Sequence, residues 1–303
     1  MNLNGILNIY KEKGYTSHDV VAVARKILNQ KKIGHTGTLD PEAEGVLPIC
    51  IGKATKAVEY ITDQKKIYRA VVKLGTTTTT EDHTGDIITK KPVIFNEEDI
   101  RQAVDTFVGE HEQIPPMYSA IKVNGKKLYE LARQGKTIER KPRKITIYNI
   151  DIHAFMPPDQ IQIDVKCSKG TYIRTLCADI GEKLGFGAHM NGLIRTEVGI
   201  FNIQNSIKLG DLKELVLKGK VDGAMVKVEK LFDTYPKIKI QSTGEKALKN
   251  GNKLHISYAM EKIEKINSSE IFKVYDFSNQ FVGLYKIKAE GTEYYLKPLK
   301  LFL

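Results

Sequence analysis

A short polar run at Gly34–Gly45, GHTGTLDPEAEG, concentrates side chains that can act in acid–base or nucleophilic chemistry. It contains His35 and Asp40, and Pro41 holds Asp40 in an extended conformation outside any helix. Such residues often lie on loops that a rigid scaffold positions around a reacting group. A loop aspartate is also a common turn residue. The segment therefore predicts either an ordinary solvated loop or a reaction site.

Arg174 is the second candidate, because its position is unfavourable for a cation. The segment TYIRTLCADIGEKLG carries an apolar stripe with helical spacing, and Arg174 falls in the first turn. The helix dipole disfavours positive charge there. Either the side chain extends into water or it reaches a buried carboxylate elsewhere in the chain, and local physics favours neither alternative.

Metal and cofactor chemistry have less support in the sequence. His35, Asp40, Asp82 and His83 could be imagined as metal ligands, but their spacing matches no helical or hairpin metal motif. The sequence has no glycine-rich phosphate loop and no dinucleotide-binding fingerprint. We therefore assign neither a metal nor a cofactor to this protein.

The composition limits the classes of protein to which the chain can belong. The 303 residues include 47 Lys+Arg against 36 Asp+Glu, a formal net charge of +11, and 41% are hydrophobic. A folded chain with this charge favours nucleic acid as its partner. It lacks a run of about 18 apolar residues, so no membrane span is expected. The three scattered cysteines and the absence of a secretory signal predict a cytoplasmic protein without disulfides.

Helices and strands that could position these residues alternate along the chain. Helices are expected after Thr16 or Ser17 and after Asn96, since each follows a capping residue and carries an apolar stripe. The segments IYRAVVKLG and QIQIDVKC alternate in the manner of half-buried strands. The segment Thr76–Asp86 is too polar to be expected in a buried element.

A basic segment occupies residues 115–144. Asn124-Gly125 indicates a hairpin turn, and nine Lys or Arg lie from Lys122 to Lys144. A charge run is usually a solvated face, but cations interleaved with tyrosines favour an arm that grips RNA. From Pro236 onward, short alternating strands rich in lysine predict a small basic β domain.

Several long strings resemble, in the same order, the motifs of the TruB-type tRNA pseudouridine synthases. GHTGTLDPEAEGVLPICIGKATK is similar to the family's catalytic motif, KIYRAVVKLG to its tyrosine-bearing strand, and CSKGTYIRTLCADIGEKLG to its arginine-bearing motif. QIPPMYSAIKVNGKKLYELARQG resembles its RNA-binding thumb, and GAHMNGLIRTEVGIF the segment after the arginine motif. The remaining C-terminal segment resembles a PUA domain. One departure is Glu12, where the family usually has proline after the lysine.

The resemblance implies an α+β fold, with a mixed, largely antiparallel sheet, flanking helices and a small C-terminal all-β PUA-like domain. The catalytic domain would span residues 1–230, with the thumb at about 115–144, and the PUA-like domain residues 236–303. The implied activity isomerises uridine to pseudouridine at position 55 in the T loop of tRNA. The target base is flipped out, its C1′–N1 bond is cleaved, and the uracil rejoins through C5 without any cofactor.

The same resemblance implies roles for individual residues. Asp40 would be the catalytic carboxylate, acting either as a nucleophile or as the base that removes the 2′ proton. Arg174 would pair with it and orient it. Tyr68 would stack on the flipped uracil. The resemblance leaves open whether Tyr68 also takes part in proton transfer. The implied substrate-binding residues are His35, Lys56, Asp82, Tyr172 and Leu193, and those of the thumb are Lys126, Lys127, Arg133 and Lys136.

The implied partner is the T-stem loop of tRNA. The protein would act as a monomer, would need no guide RNA and would not bind a membrane. Three other functions share part of the pattern. A catalytically silent RNA-binding protein or tRNA chaperone would not need Asp40, Tyr68 and Arg174 together. A metal-dependent hydrolase would use the two histidines and two aspartates named above and would lose activity in excess chelator. A dyskerin-like, guide-RNA-dependent synthase usually carries larger extensions.

The basic segment should contribute directly to RNA affinity. We expect neutralisation of Lys126, Lys127, Arg133 and Lys136 to weaken tRNA binding and to flatten its salt dependence, because fewer counterions are released. Turnover at saturating tRNA should fall much less than affinity. The measurement is Kd over a salt series. An unchanged slope of log Kd against log salt concentration would show that the segment is only a solvated face.

Overall fold

The computed structural model describes residues 3–119, 121–123, 125–261 and 270–303, and two large β-sheets dominate it. Up to residue 113 the strands and helices are β1 Gly5–Lys11, α1 Ser17–Leu28, β2 Ile33–His35, β3 Glu44–Ile51, α2 Val58–Thr62, β4 Lys66–Leu74, β5 Thr76–Thr78, β6 Ile87–Lys90, α3 Glu97–Asp105 and β7 Gly109–Gln113. The next are β8 Lys122–Val123, β9 Lys126–Lys127, α4 Leu128–Ala132, β10 Arg143–Met156, β11 Gln160–Cys167, α5 Ile173–Lys183, β12 Ala188–Val198, β13 Phe201–Asn202, α6 Leu209–Leu217 and α7 Val221–Ala224. The last are β14 Lys237–Lys239, α8 Glu245–Lys249, β15 Leu254–His255, β16 Ile271–Tyr275, β17 Phe281–Glu290 and β18 Glu293–Leu301.

The nine-stranded sheet is mixed and mostly antiparallel. Its main path runs β1-β3-β12-β4-β11-β10-β7, and β12 pairs with β3 in parallel. The neighbours of β4 in this order are β12 and β11, so Tyr68 on β4 lies opposite Arg195 on one side and Val165 on the other. The expected α+β fold with a largely antiparallel sheet is confirmed.

Helices cover the sheet and pack against it in apolar cores, of which two are the largest. One core packs α3 and α5 against β4, β10, β11 and β12, and Val72, Ile163 and Ile180 are fully buried in it. The second packs α1 and α6 against β1 and β3. The first helix begins as its sequence predicts, because the side chain of Thr16 caps it in a reciprocal box with Asp19. No helix among the described residues is long and apolar enough to cross a membrane.

The segment Thr76–Asp86 does not follow its sequence-based expectation. Thr76–Thr78 forms β5, and the side chains of Thr76, Thr78 and Asp82 are buried. The prediction that this run stays outside buried structure is wrong, because its polar groups bond one another. The Thr78 hydroxyl, for example, donates to the Asp82 carbonyl at 2.6 Å. A buried polar segment is stable when its donors and acceptors are paired in this way.

The basic segment contains a short antiparallel hairpin. β8 pairs with β9, and α4 follows directly. Gly125 has φ +81, a left-handed conformation that suits a tight turn. Asn124, the other half of the predicted turn, lies outside the described residues.

The C-terminal part is a separate, mostly β unit that packs on the larger one. Its five-stranded sheet has the order β14-β16-β17-β18-β15, and the short helix α8 lies between β14 and β15 in the chain. Phe302 stacks on Phe281, with ring centroids 5.6 Å apart, and also contacts Phe232, which precedes this unit. Tyr60 of the larger unit closes the same aromatic cluster.

Phe302 should therefore stabilise the protein although it is the penultimate residue. We expect Phe302→Ala to lower the free energy of unfolding by about 3 kcal/mol, because it removes a buried ring and leaves a cavity. Leu299→Ala is the matched control, since Leu299 lies three residues before Phe302, in β18, but is 46% exposed. Its effect should stay within about 0.5 kcal/mol. Equal effects in denaturant-induced unfolding would contradict the role of the aromatic cluster.

Candidate active site

Arg174 lies in the first turn of α5 and reaches across to the loop Gly34–Gly45. Its Nε is 3.0 Å from Oδ2 of Asp40. Its Nη1 donates to the Thr80 carbonyl at 3.1 Å, and its Nη2 donates to the Tyr118 carbonyl at 2.7 Å. The Arg174 side chain is only 5% exposed, so it reaches a carboxylate rather than water.

The carboxylate itself differs from the expectation. The Asp40 side chain is 42% exposed, so the carboxylate that Arg174 reaches is not the buried one of the second alternative. The two Nη atoms of Arg174 donate to backbone carbonyls, so the contact with Asp40 is made by Nε and not by a pair of nitrogens. One oxygen of Asp40 is oriented while the side chain stays accessible. A substrate atom can therefore approach it.

Asp82 is a second carboxylate next to Arg174. Its Oδ2 is 3.8 Å from Nη1 of Arg174. Its Oδ1 accepts hydrogen bonds from the Thr80 hydroxyl at 2.6 Å and from the Thr84 hydroxyl at 2.6 Å. Asp82 is buried, unlike Asp40. Through its bonds to Thr80 and Thr84, it holds the loop that supplies the Thr80 carbonyl.

Two buried polar side chains, Lys11 and Ser17, hold the backbone of the Asp40 loop. The Ser17 hydroxyl accepts from the backbone N–H of Leu39 at 2.9 Å. The ammonium of Lys11, which is fully buried, donates to the Pro41 carbonyl at 3.0 Å and to the Ala43 carbonyl at 2.5 Å. Burial lowers the pKa of Lys11 to about 8, although the nearby charge of Asp40 opposes this shift.

Arg195 on β12 is a third buried support. Its Nε donates to the Val46 carbonyl at 2.8 Å, and its Nη2 contacts the Gly37 carbonyl at 3.4 Å. Gly45 has φ +105, and a Cβ there would lie 2.2 Å from the Arg195 carbonyl oxygen, so only glycine fits. Sequence reasoning missed both Lys11 and Arg195. The one available signal was a basic residue on each of two strand-like segments that also carry several apolar residues.

Two tyrosine side chains lie close enough to Asp40 for its charge to affect their pKa. Burial raises the pKa of Tyr68, while Arg195 lowers it by its charge and a hydrogen bond. Burial likewise raises the pKa of Tyr172, the residue before α5. The charge of Asp40 contributes to both shifts, which agrees with two tyrosines near this carboxylate. Both phenols therefore keep their protons at neutral pH. Leu193 lies opposite Ala70 and packs on the same core as Tyr68.

Comparison with known proteins agrees with this geometry. The model for "TruB family pseudouridylate synthase (N terminal domain)" matches residues 25–173, and that for "tRNA pseudouridylate synthase B C-terminal domain" matches residues 174–236. The tRNA pseudouridine synthase B of Lachnoclostridium phytofermentans is 48% identical over 310 residues, covering 99% of this chain and all of the relative. The Staphylococcus aureus protein of the same name is 46% identical and covers 99% of each chain. This chain belongs to the TruB family of pseudouridylate synthases.

A solved structure supports the same assignment. A chain in the crystal structure of a Cbf5-Nop10-Gar1 complex superposes with a TM-score of 0.73 at 30% identity, covering 99% of this chain and 85% of that one. The resemblance stated from the sequence is thus confirmed, and so is the enzyme class, an isomerase that forms pseudouridine.

The two histidines near this TruB-family loop have different environments. His35 packs edge-on against His18, with ring centroids 5.0 Å apart. Burial lowers the pKa of His35, and the neighbouring His18 lowers it further, so the ring is neutral at pH 7. His83 instead lies beside the Glu42 carboxylate, with its Nε2 3.7 Å from Oε2 of Glu42. Within the described ranges, no group of three or more His, Cys, Asp or Glu side chains could hold a metal ion.

The described contacts of Lys56 and of the thumb cations Lys126, Arg133 and Lys136 do not include Asp40. The Lys56 ammonium donates to the carbonyl of Leu303, at the C-terminal end of the chain, at 3.1 Å. In the thumb, Lys126, Arg133 and Lys136 are exposed, and Arg133 lies over the Tyr129 ring at 5.5 Å. The side chain of Lys127 lies outside the described residues. The thumb is thus a solvent-facing cationic arm, joined to the site through the Tyr118 carbonyl.

Replacing Arg174 should reduce activity even when the charge is kept. We expect Arg174→Lys to lower the rate of pseudouridine formation by at least about 10²-fold. One ammonium cannot reproduce the planar set of contacts to Asp40, Thr80 and Tyr118. Arg69→Lys is the matched control, because Arg69 binds Asp164 through two hydrogen bonds of 2.7 Å elsewhere on the sheet. It should keep nearly full activity.

A double-mutant cycle tests whether Arg174 acts through Asp40. Adding Arg174→Ala to Asp40→Asn should slow the reaction little beyond Asp40→Asn alone, because the two residues form one unit. Because Asp40 is partly solvated, Asp40→Asn should recover little of the stability lost in Arg174→Ala. Strictly additive losses of activity would instead assign Arg174 to another task.

Proposed function

We propose that this chain isomerises uridine to pseudouridine at position 55 in the T loop of tRNA. The relatives named above are tRNA pseudouridine synthases B, and they match almost the whole chain. The observation that supports the proposal most directly is the contact between Arg174 and the accessible carboxylate of Asp40. A tRNA loop also suits a site of this kind, because loop bases are already partly unstacked.

In the proposed mechanism the target uridine leaves its stack and enters the space beside Asp40. Tyr68 stacks on the flipped uracil, with Tyr172 and Leu193 lining the remaining wall and neutral His35 filling space near the extruded base. Asp82 steadies the loop that holds Arg174. Since both tyrosine phenols keep their protons at neutral pH, the carboxylate is the group best suited to start the reaction.

Asp40 then promotes cleavage of the C1′–N1 bond. It does so either by covalent attack or by removing the 2′ proton to give a glycal, and both routes require an accessible, oriented carboxylate. The freed uracil rotates within the pocket and rejoins the ribose through C5. Bonds broken and formed balance closely, so we assign no cofactor to the reaction.

We propose that the rest of the chain serves to grip tRNA. Lys126, Lys127, Arg133 and Lys136 of the thumb would follow the backbone of the T-stem loop, where exposed cations contribute most. Residues 236–303 would act as a PUA-like RNA-binding domain beside the catalytic domain of residues 1–230, with Lys56 near their contact. We expect a monomer that works without guide RNA in the cytoplasm.

The direct test is to incubate the purified protein with an unmodified tRNA transcript and to map pseudouridine by chemical sequencing. Product at position 55 alone supports the proposal. Binding without product would indicate an RNA-binding protein or tRNA chaperone, and product at another position would contradict the assignment of the T loop.

Asp40→Asn tests the catalytic carboxylate within that assay. The change keeps the size of the side chain but removes its charge, so tRNA binding should stay within a few-fold of the unaltered protein. The rate should fall by at least about 10²–10⁴-fold. Asp63→Asn is the control, since Asp63 is an exposed aspartate paired with Lys169 on the surface. Substantial turnover by Asp40→Asn would overturn the assignment.

A further inference from the structure

The Gln113 side chain makes an unusual pair of hydrogen bonds to one distant residue. Its Oε1 accepts from the backbone N–H of Tyr172 at 2.8 Å, and its Nε2 donates to the Tyr172 carbonyl at 3.0 Å. Gln113 ends the edge strand β7 and is only 6% exposed. A carboxamide offers a donor and an acceptor together, so it satisfies this backbone as a neighbouring strand would.

This contact holds the backbone just before α5, where the Tyr172 carbonyl also accepts from the Leu176 N–H at 3.1 Å. Tyr172 is the N-cap residue of α5, but its side chain makes no capping hydrogen bond. The two groups that Gln113 binds thus belong to the residue that immediately precedes the first turn of the helix and that the proposed function places beside the flipped base. Arg174 lies two residues further on. A shift of the Tyr172 backbone would therefore move the Tyr172 ring and the Arg174 guanidinium together.

The same glutamine also adjoins the root of the thumb. Five residues after Gln113, the Tyr118 carbonyl accepts from Nη2 of Arg174 at 2.7 Å. Between these two points, the Pro115 carbonyl accepts from Nη1 of Arg140 at 3.0 Å. The thumb root is thus fastened twice to the beginning of α5, once through Gln113 and once through Tyr118.

We propose that Gln113 is a positioning residue for the isomerisation. By holding both backbone groups of Tyr172, it sets the placement of Arg174 relative to Asp40 and ties that placement to the thumb. It contacts no substrate and takes no part in proton transfer. This inference rests on the proposed function, because it assumes that Arg174 orients a catalytic Asp40.

The test compares Gln113→Glu with Gln113→Met, using Gln102→Glu on the exposed face of α3 as the charge-matched control. An ionised carboxylate still accepts from the Tyr172 N–H but opposes its carbonyl, whereas methionine keeps the volume and makes neither bond. We would measure the single-turnover rate on a tRNA transcript from about pH 5.5 to about pH 8.5. Kd and thermal unfolding would be measured on the same samples, and rates expressed per folded molecule.

At the upper end of the pH range we expect both Gln113 variants to be about 10–100-fold slower than the unaltered protein, because buried hydrogen-bonding groups lose their partners. Kd should change by no more than a few-fold. Gln113→Glu should partly recover as pH falls, because a buried carboxyl takes up a proton and can donate again. Gln113→Met should show no such recovery, and Gln102→Glu should match the unaltered protein.

Three results would overturn the proposal. They are unchanged rates per folded molecule in both variants, a loss confined to Kd, and a Gln113→Glu rate that lacks the recovery at low pH. Asp40→Asn in the same assay separates this inference from the function beneath it. An active Asp40→Asn contradicts the proposed function. An inactive Asp40→Asn beside fully active Gln113 variants contradicts only the positioning role.

Discussion

A buried guanidinium must have its donors paired, and this requirement fixes the geometry of the site around Arg174. The side chain meets it by binding three segments that are distant in sequence, through Asp40, the Thr80 carbonyl and the Tyr118 carbonyl. Each of these segments is irregular and would be poorly defined alone. Their shared partner, on the first turn of α5, brings them to one place. The unfavourable position of a cation at a helix start is offset by this set of acceptors.

The loop that carries Asp40 needs further support, because it must leave its carboxylate accessible. The buried cationic groups of Lys11 and Arg195 supply this support, because they bind backbone carbonyls before and after Asp40 in the chain. Burying such charges is costly unless they are hydrogen-bonded, and here the loop carbonyls meet that need. Because Lys11 and Arg195 bind the backbone, the side chain of Asp40 is left to Arg174 and to solvent. In the proposed function, the groups that position the loop are therefore separate from the group that performs the chemistry.

The basic thumb segment, which we propose binds RNA, is connected directly to the site. Its cations face solvent, where they can follow a phosphate backbone, whereas its root contacts α5 through Tyr118 and Gln113. A change of the thumb on binding RNA would therefore act on the residues that orient Asp40. The small β unit is joined differently, through the aromatic cluster of Phe232, Phe281 and Phe302. That contact combines the apolar cluster with polar bonds such as that from Lys56 to the Leu303 carbonyl, and it is distinct from the polar network around Arg174.

The sequence by itself determined the elements, the family and the identities of the main candidates. Local signals sufficed for α1, β4 and β11, because a cap or an alternating pattern depends on neighbours in sequence. They could not decide that Asp40 is half exposed, that Arg174 binds it through Nε alone, or that Thr76–Thr78 is buried. They also missed the supports Lys11, Arg195 and Gln113. These three supports depend on hydrogen bonds between residues tens to more than a hundred positions apart, and only the tertiary structure brings such partners together.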